Sequence, residues 1–393
     1  MIIYIFITLL LLFFSFRYDF CGRKDGRILC YNIVLVLLIL IAGLRWRVGT
    51  DTIAYINRFY HDYPTIDNFS FLDYGIGSDP FYALINVIVK SLGGRFYMVQ
   101  LIQASIVNIL VFKYIKRHTD FIFTCVLFYF FISYVNYTME VMRGSISIVI
   151  CLFGNDYIQD KKWIKGYALY LLALMFHIQT IVLFLLPCLF FIRLNKYGIL
   201  LLVAAFVTGL FLKTIFEGYL SLVEGGVIGN EIEDKLYSDK YGTQHGNLMF
   251  FVGLLLIKFV YPVLSLLYIK KYGANEMIMR LEPFVIFGLM FVLLQISLPI
   301  AFRYVYYYEL YFALFYSEVL SSMSDRLMAL SKGVRFTRAY LLFFPVLLYY
   351  GYARYSTHKY HPYSSVIEKS VNKEKEKVFK ERNHYFAPDK NKY

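Results

Sequence analysis

Apolar runs of roughly 15–20 residues recur along this chain until its polar C-terminal stretch. A helix needs about 20 such residues to cross a hydrocarbon core of about 30 Å. The runs are continuous, unlike the alternating segments of about 10 residues that build outer-membrane barrels. Within a bilayer a helix satisfies its own backbone, which an open strand cannot do. The expected fold is therefore all-α: a polytopic integral membrane protein with about 10–13 transmembrane or half-inserted helices. Composition agrees. The chain is 59% hydrophobic and 17% charged, against about 45–50% and about 25% in soluble domains. The first run, Ile2 to Phe16, lacks a basic leader and a small-residue cleavage site, and reads as a retained span.

The spans read as about 2–16, 28–44, 96–112, 121–137, 144–158, 197–214, 247–268, 283–300, 305–320 and 339–352. Residues 164–192 are short for two crossings and read as a short helical hairpin; 80–92 reads as re-entrant or half-inserted. The net charge of +13 does not point to nucleic acid, because Lys and Arg collect in short loops at 17–27, 113–118, 159–165, 193–196, 270–273 and 324–338. Placing those loops in the cytoplasm sends residues 45–79, the segment around Glu140 and Arg143, the turn near His177, the loop 216–246 and the segment around Arg303 to the exterior. The expected division is a membrane domain over 1–353 and a polar, lysine-rich, flexible tail over 354–393. That tail carries ten Lys/Arg and five Asp/Glu. Five scattered cysteines show no CxxC or Cys/His spacing, so neither a metal site nor a disulfide framework is expected.

The two long exterior loops are rich in Asp, Asn, Gly and aromatic residues. Such loops are either ordinary wet connections or functional ones. Tyr rings and carboxylates would suit a sugar.

Four places carry possible chemistry. "RWRVGTD" (45–51) puts Arg45, Arg47 and Asp51 at the mouth of a hydrophobic span. Thr50 and Asp51 can cap the helix that follows, but two exterior arginines run against the Lys/Arg rule and would suit an anion. In "YTMEVMRGSISIVI" (137–150), Glu140 and Arg143 are three apart and can share a helix face as a local ion pair. In "LALMFHIQTIVLFLLP" (172–187), His177 interrupts apolar sequence; an intramembrane ionisable group is a functional candidate, or a His satisfied by a neighbour. In "LPIAFRYVYYYELYFALFY" (298–316), Arg303 precedes Tyr304, Tyr306, Tyr307 and Tyr308. The plain reading there is an interfacial tyrosine belt with a snorkelling arginine. Together, four arginines near one membrane face suit a diphosphate, which Arg binds bidentately.

The order "AGLRWRVGTDTIAYI", "MEVMRGSISIVICLF", "LALMFHIQTIVLFLLP" and "FRYVYYYEL" resembles the EpsG family of polysaccharide polymerases, related to the Wzy class, over roughly residues 30–320. The resemblance rests on Arg45, Gly49, Thr50, Asp51 and Tyr55, then Arg143, then His177. It departs at Trp46, Arg47 and Gly144. It implies a fold like the membrane glycosyltransferase C class and a multi-pass protein of the bacterial cytoplasmic membrane. The implied substrate is an undecaprenyl-diphosphate-linked oligosaccharide; the implied partners include a flippase and a chain-length regulator. No cofactor and no metal are implied. On this resemblance Arg45, Arg47, Arg143 and Arg303 hold the diphosphate. His177 is the first candidate for base, with Asp51 and Glu140 second, and Tyr55, Tyr304 and Tyr307 face the glycan. A lipid-oligosaccharide flippase, a membrane O-acyltransferase and a glycan ligase are the rival readings.

The topology is directly testable. Single cysteines replacing Asp67 and Gly229 should react with an impermeant thiol reagent from outside intact cells, and one replacing Lys161 should not. Labelling of the Lys161 variant alone would invert the orientation and disperse the proposed cluster.

Overall fold

The computed structural model describes residues 2–49, 51–71, 79–185, 187, 190, 192–222, 253–296, 301–355, 360 and 363–367. Thr50, Gly229, most of the loop 216–246 and most of the tail lie outside the described residues. Those described are overwhelmingly helical, and the β pairing among them is one isolated bridge. Among the described residues, three helices are long and apolar enough to cross a membrane: Ile2–Phe20, Phe96–His118 and Glu276–Leu294. Shorter apolar helices accompany them, and the chain is a multi-pass membrane protein. It divides into two compact units, Met1–Pro187 with Tyr350–Tyr393, and Cys188–Tyr349.

The first unit begins with α1 (Ile2–Phe14), which continues through a π-helical turn at Ser15–Phe20. Then come α2 (Arg27–Gly43), α3 (Thr52–His61), α4 (Pro80–Ser91) and α5 (Phe96–His118). Next, α6 (Ile122–Tyr129) runs on through two π-helical turns, Phe130–Tyr134 and Asn136–Glu140. They are followed by α7 (Met142–Gln159) and α8 (Trp163–Leu174). The stretch expected as a helical hairpin over 164–192 is thus the short α8 and a 3₁₀ helix, Ile178–Phe184, that meet at His177. With 12 residues, α4 extends about 18 Å, short of the roughly 30 Å that a crossing needs.

Side-chain contacts set the directions of these helices. The phenol of Tyr31 in α2 donates to the carbonyl of Phe112 late in α5, while Gly43 ends α2 beside Leu101 early in α5, so the two are antiparallel. Gln103 of α5 donates to Ser145 at the start of α7, and Tyr114 and His118 at the end of α5 meet Asp156 at the end of α7, so those two run parallel. One end of the unit therefore collects Arg27, Arg117, His118 and Asp156, the end expected to face the cytoplasm. The opposite end collects residues 41–49, Asp79, Glu140, Arg143 and His177.

The second unit holds α9 (Lys196–Leu222), a π-helical turn at Leu254–Val260 leading into α10 (Tyr261–Tyr272), α11 (Glu276–Leu294), α12 (Phe302–Val305) and α13 (Glu309–Arg326). The final helix, α14 (Lys332–Tyr355), runs on into residues of the first unit. Asn275 starts α11 as a side-chain cap, accepting from the Ile278 amide at 2.7 Å. Within α11, the buried Glu282 accepts from the Leu194 amide at 2.7 Å and lies 3.5 Å from Lys270 Nζ. The rings of Phe284 and Tyr311 stack at 4.1 Å to join α11 to α13.

Helix contact in the first unit depends on small residues. A Cβ placed on Gly43 would fall 2.8 Å from the Leu101 Cα, a backbone atom that cannot turn aside. Gly43→Ala should therefore push α2 off α5 and destabilise the purified protein by about 1–3 kcal/mol. An unchanged thermal transition would show that the two helices slip past each other freely.

Candidate functional site

The site is built where α4, α7 and α8 present their ends to one another in the first unit. After α8 stops at Leu174, the Met175 carbonyl accepts from the Phe81 amide at 3.1 Å, in the first turn of α4. The rings of Phe81 and Phe176 meet edge to face at 5.5 Å. This clasp sets Asp79, the residue before α4, against His177, two residues past Met175.

Asp79 is the centre of the arrangement. Its side chain is 2% exposed. Oδ2 accepts from Nη1 of Arg143, and Oδ1 lies 3.3 Å from Nδ1 of His177. The two partners are more open, at 27% for Arg143 and 17% for His177. The Arg143 guanidinium carbon stands 5.8 Å from the Tyr55 ring centroid. Its Nε is buried and has no hydrogen-bond partner. His177 Nε2 likewise has no partner among the described residues. Asp79 takes a left-handed backbone, φ +55°, and does not cap α4 with its side chain. A left-handed residue before proline is unfavourable; such strain survives where surrounding contacts demand it.

Gly144 lets the histidine approach. A Cβ there would lie 3.2 Å from His177 Cδ2. The glycine that departs from the family pattern in sequence is thus the one facing the imidazole. Below it, Ser147 and Thr180 share a buried hydrogen bond that fastens the 3₁₀ helix to α7.

The other residues singled out in the sequence fall in different places. Glu140 and Arg143 do not share a helix face, because the helix breaks at Val141 between them. The Glu140 carboxylate accepts from the Tyr360 hydroxyl at 2.7 Å. Arg45, expected near the diphosphate, is 0% exposed. Its Nη1 donates to the Ala42 carbonyl at 2.5 Å and its Nε to the Val48 carbonyl at 3.3 Å, which closes the end of α2 onto the turn that follows. Arg47 is half-buried, stands over the Trp46 ring at 5.3 Å and has a positive φ of 51°. Asp51 sits at the N-cap of α3 without capping it through its side chain; Thr52 Oγ1 instead donates to the Val48 carbonyl at 2.7 Å. Tyr55 is buried beneath Arg143, so the ring expected for glycan is engaged by the guanidinium.

In the second unit Arg303 lies in α12 and is half-buried. Tyr304 stacks on Phe291 at 5.2 Å. Tyr307 is 4% exposed, so its ring serves the interior of that unit and not an open groove.

Sequence reasoning missed Asp79. Its only signal was a carboxylate placed directly before the proline that opens an apolar run, and Ser78-Asp79-Pro80 reads first as a turn. Among the described residues, no group of three or more His, Cys, Asp or Glu comes together as a metal site would require.

The family model described as EpsG family matches residues 28–365, and the chain belongs to that family. No curated protein and no solved structure matches it.

The two neighbouring arginines have different surroundings and should respond differently to lysine. Arg45→Lys cannot span both carbonyls, and it leaves a buried acceptor or cation short of a partner, at a cost of about 1–3 kcal/mol. Its melting temperature should fall by about 3 °C or more, while Arg47→Lys should change it less. Equal melting temperatures for the two variants would mean that the Arg45 bonds do not hold the turn.

Proposed function

We propose that this EpsG-family protein polymerises oligosaccharide repeats carried on undecaprenyl diphosphate, at the outer face of the bacterial cytoplasmic membrane. One observation carries the reading: Arg143 and His177, each set in otherwise apolar sequence, meet on one buried carboxylate with their outer atoms open. Polysaccharide polymerisation is the coarser role that family membership supports.

The reaction needs stabilisation of a leaving diphosphate and an acceptor for one proton. The incoming sugar hydroxyl attacks the anomeric carbon of the growing glycan. The bond from that carbon to the phosphate oxygen breaks, and undecaprenyl diphosphate leaves with the electron pair. Arg143 balances the charge that develops on the diphosphate. His177 Nε2 takes the hydroxyl proton. Arg47 and Arg303 are further diphosphate candidates, each judged by its own lysine variant. Asp51 and Glu140 are the second-choice bases, and Glu140 is already engaged by Tyr360. A flippase and a chain-length regulator would work beside the enzyme, supplying repeats and limiting product. A flippase role for this chain itself fits less well. Its charges would mark a path across the membrane, whereas Asp79, Arg143 and His177 gather at one end of the first unit.

Arg143→Lys keeps the charge but loses the planar fork, and His177→Ala removes the proton acceptor. In a strain lacking the native gene, each variant should form at least tenfold less polymer per unit of membrane protein, about 1.4 kcal/mol in barrier. Full polymer output from both would discard the site. Retained activity with early melting in His177→Ala would make that histidine structural.

A further inference from the structure

Proton transfer to His177 requires that Nε2 be the unprotonated nitrogen. A neutral imidazole carries its proton on one nitrogen only, and the hydrogen bond at the other nitrogen decides which. Here Nδ1 faces a carboxylate oxygen at 3.3 Å, and a carboxylate can only accept. The proton therefore belongs on Nδ1. That leaves the Nε2 lone pair directed away from Asp79, on a side chain 17% exposed. The same carboxylate holds Nη1 of Arg143 with its other oxygen. One buried group thus fixes both the orientation of the base and the starting position of the guanidinium.

We infer that Asp79 is the positioning residue of this site: it locks His177 in the Nδ1-protonated form, so that Nε2 can accept the proton of the attacking sugar hydroxyl, and it anchors Arg143 beside it. The inference rests on the polymerase reading for its consequence in turnover, but not for the state of the histidine. Asp79 touches neither substrate nor reacting atoms and acts through its two partners. Its backbone supports a dedicated role. The left-handed φ before Pro80 is a conformation that only Gly, Asn and Asp adopt readily, and its side chain turns to His177 and Arg143 instead of capping α4.

Asp79→Asn is the discriminating substitution, because Asn has the same shape and tolerates the same backbone. Its amide can donate to Nδ1, which would move the imidazole proton to Nε2 and block acceptance. The test uses the full chain in lipid nanodiscs with ¹⁵N-labelled histidine, the His177 signal being identified by its loss in His177→Gln. In its neutral form the wild-type imidazole should show a protonated Nδ1 and a bare Nε2, and that of Asp79→Asn the reverse. In the gene-deleted strain, polymer output of Asp79→Asn should fall about a hundredfold or more. In membranes supplied with the strain's own lipid-linked repeat, kcat should carry the loss and KM should stay within about twofold. A wild-type histidine protonated on Nε2 overturns the inference without reference to any variant. So does a folded Asp79→Asn protein with an unchanged tautomer, or one with wild-type turnover. If wild type itself makes no polymer from lipid-linked repeats, the polymerase reading fails, and the tautomer measurement still judges the role of Asp79.

Discussion

A carboxylate almost wholly removed from solvent is the constraint around which the first unit is arranged. An ion taken out of water costs several kcal/mol unless its partners replace the lost hydration. Asp79 has two partners, and they come from elements far apart in sequence: Arg143 at the start of α7 and His177 beyond the end of α8. Removing either would leave the carboxylate short of compensation. The clasp of Phe81 on Met175, the Ser147–Thr180 bond and the glycine at 144 can all be understood as consequences, since each brings backbone close enough for a carboxylate, a guanidinium and an imidazole to share a small space. In an apolar surround such a group is hard to maintain without a use, which is why polar residues at membrane depth mark function more reliably than they do in soluble cores.

The site also depends on where helices stop. His177 sits in extended backbone between α8 and the 3₁₀ helix, Asp79 takes left-handed backbone before α4, and Val141 interrupts the path from the π-helical turns into α7. A continuous helix would have carried each side chain a further 100° round its axis per residue. The breaks instead aim three side chains at one point. Their backbone groups find partners within the same segments: the His177 amide donates to the Ala173 carbonyl and the Val141 amide to the Asn136 carbonyl, both at 3.0 Å. π-Helical turns often lie near functional sites, and two of them lead directly to Glu140.

Much of this was legible in the sequence, for physical reasons. Hydropathy identified helices because a bilayer tolerates little else. Arg143 and His177 stood out because each interrupts apolar sequence where a charge is expensive. Asp79 did not stand out, because it lies at a polar loop end, where carboxylates are common and inexpensive. Only the tertiary clasp makes it buried. Arg45 differs in the opposite direction: it reads as an exterior cation but is 0% exposed, because position in sequence says nothing about whether a guanidinium turns back on its own helix. The same holds for Tyr55 and Tyr307, whose rings suit sugar by type but are covered by protein neighbours. The Glu140–Arg143 spacing suggested a pair only on the assumption that the helix continued through Val141.

The C-terminal stretch shows why a polar tail can belong to a membrane site. Composition separates residues 354–393 from the apolar body, yet part of that stretch pairs with the turn after α2. The Trp46 amide donates to the Ser364 carbonyl and the Val366 amide to the Leu44 carbonyl, both at 2.8 Å. The Tyr363 hydroxyl reaches the Ile41 carbonyl at 2.8 Å, and Tyr360 holds Glu140. Where α2 ends, its last carbonyls lose their helical partners, and Gly49, at φ +103°, bends the chain so tightly that a Cβ would sit 2.6 Å from the Met139 carbonyl oxygen. Arg45 satisfies some of those carbonyls from within, and the returning strap satisfies others from outside. Such pairing runs mainly through backbone and leaves little trace in side-chain chemistry. A resemblance judged on side-chain motifs therefore fades near residue 320, whereas the family match reaches residue 365, the strap's bridge partner to Arg45.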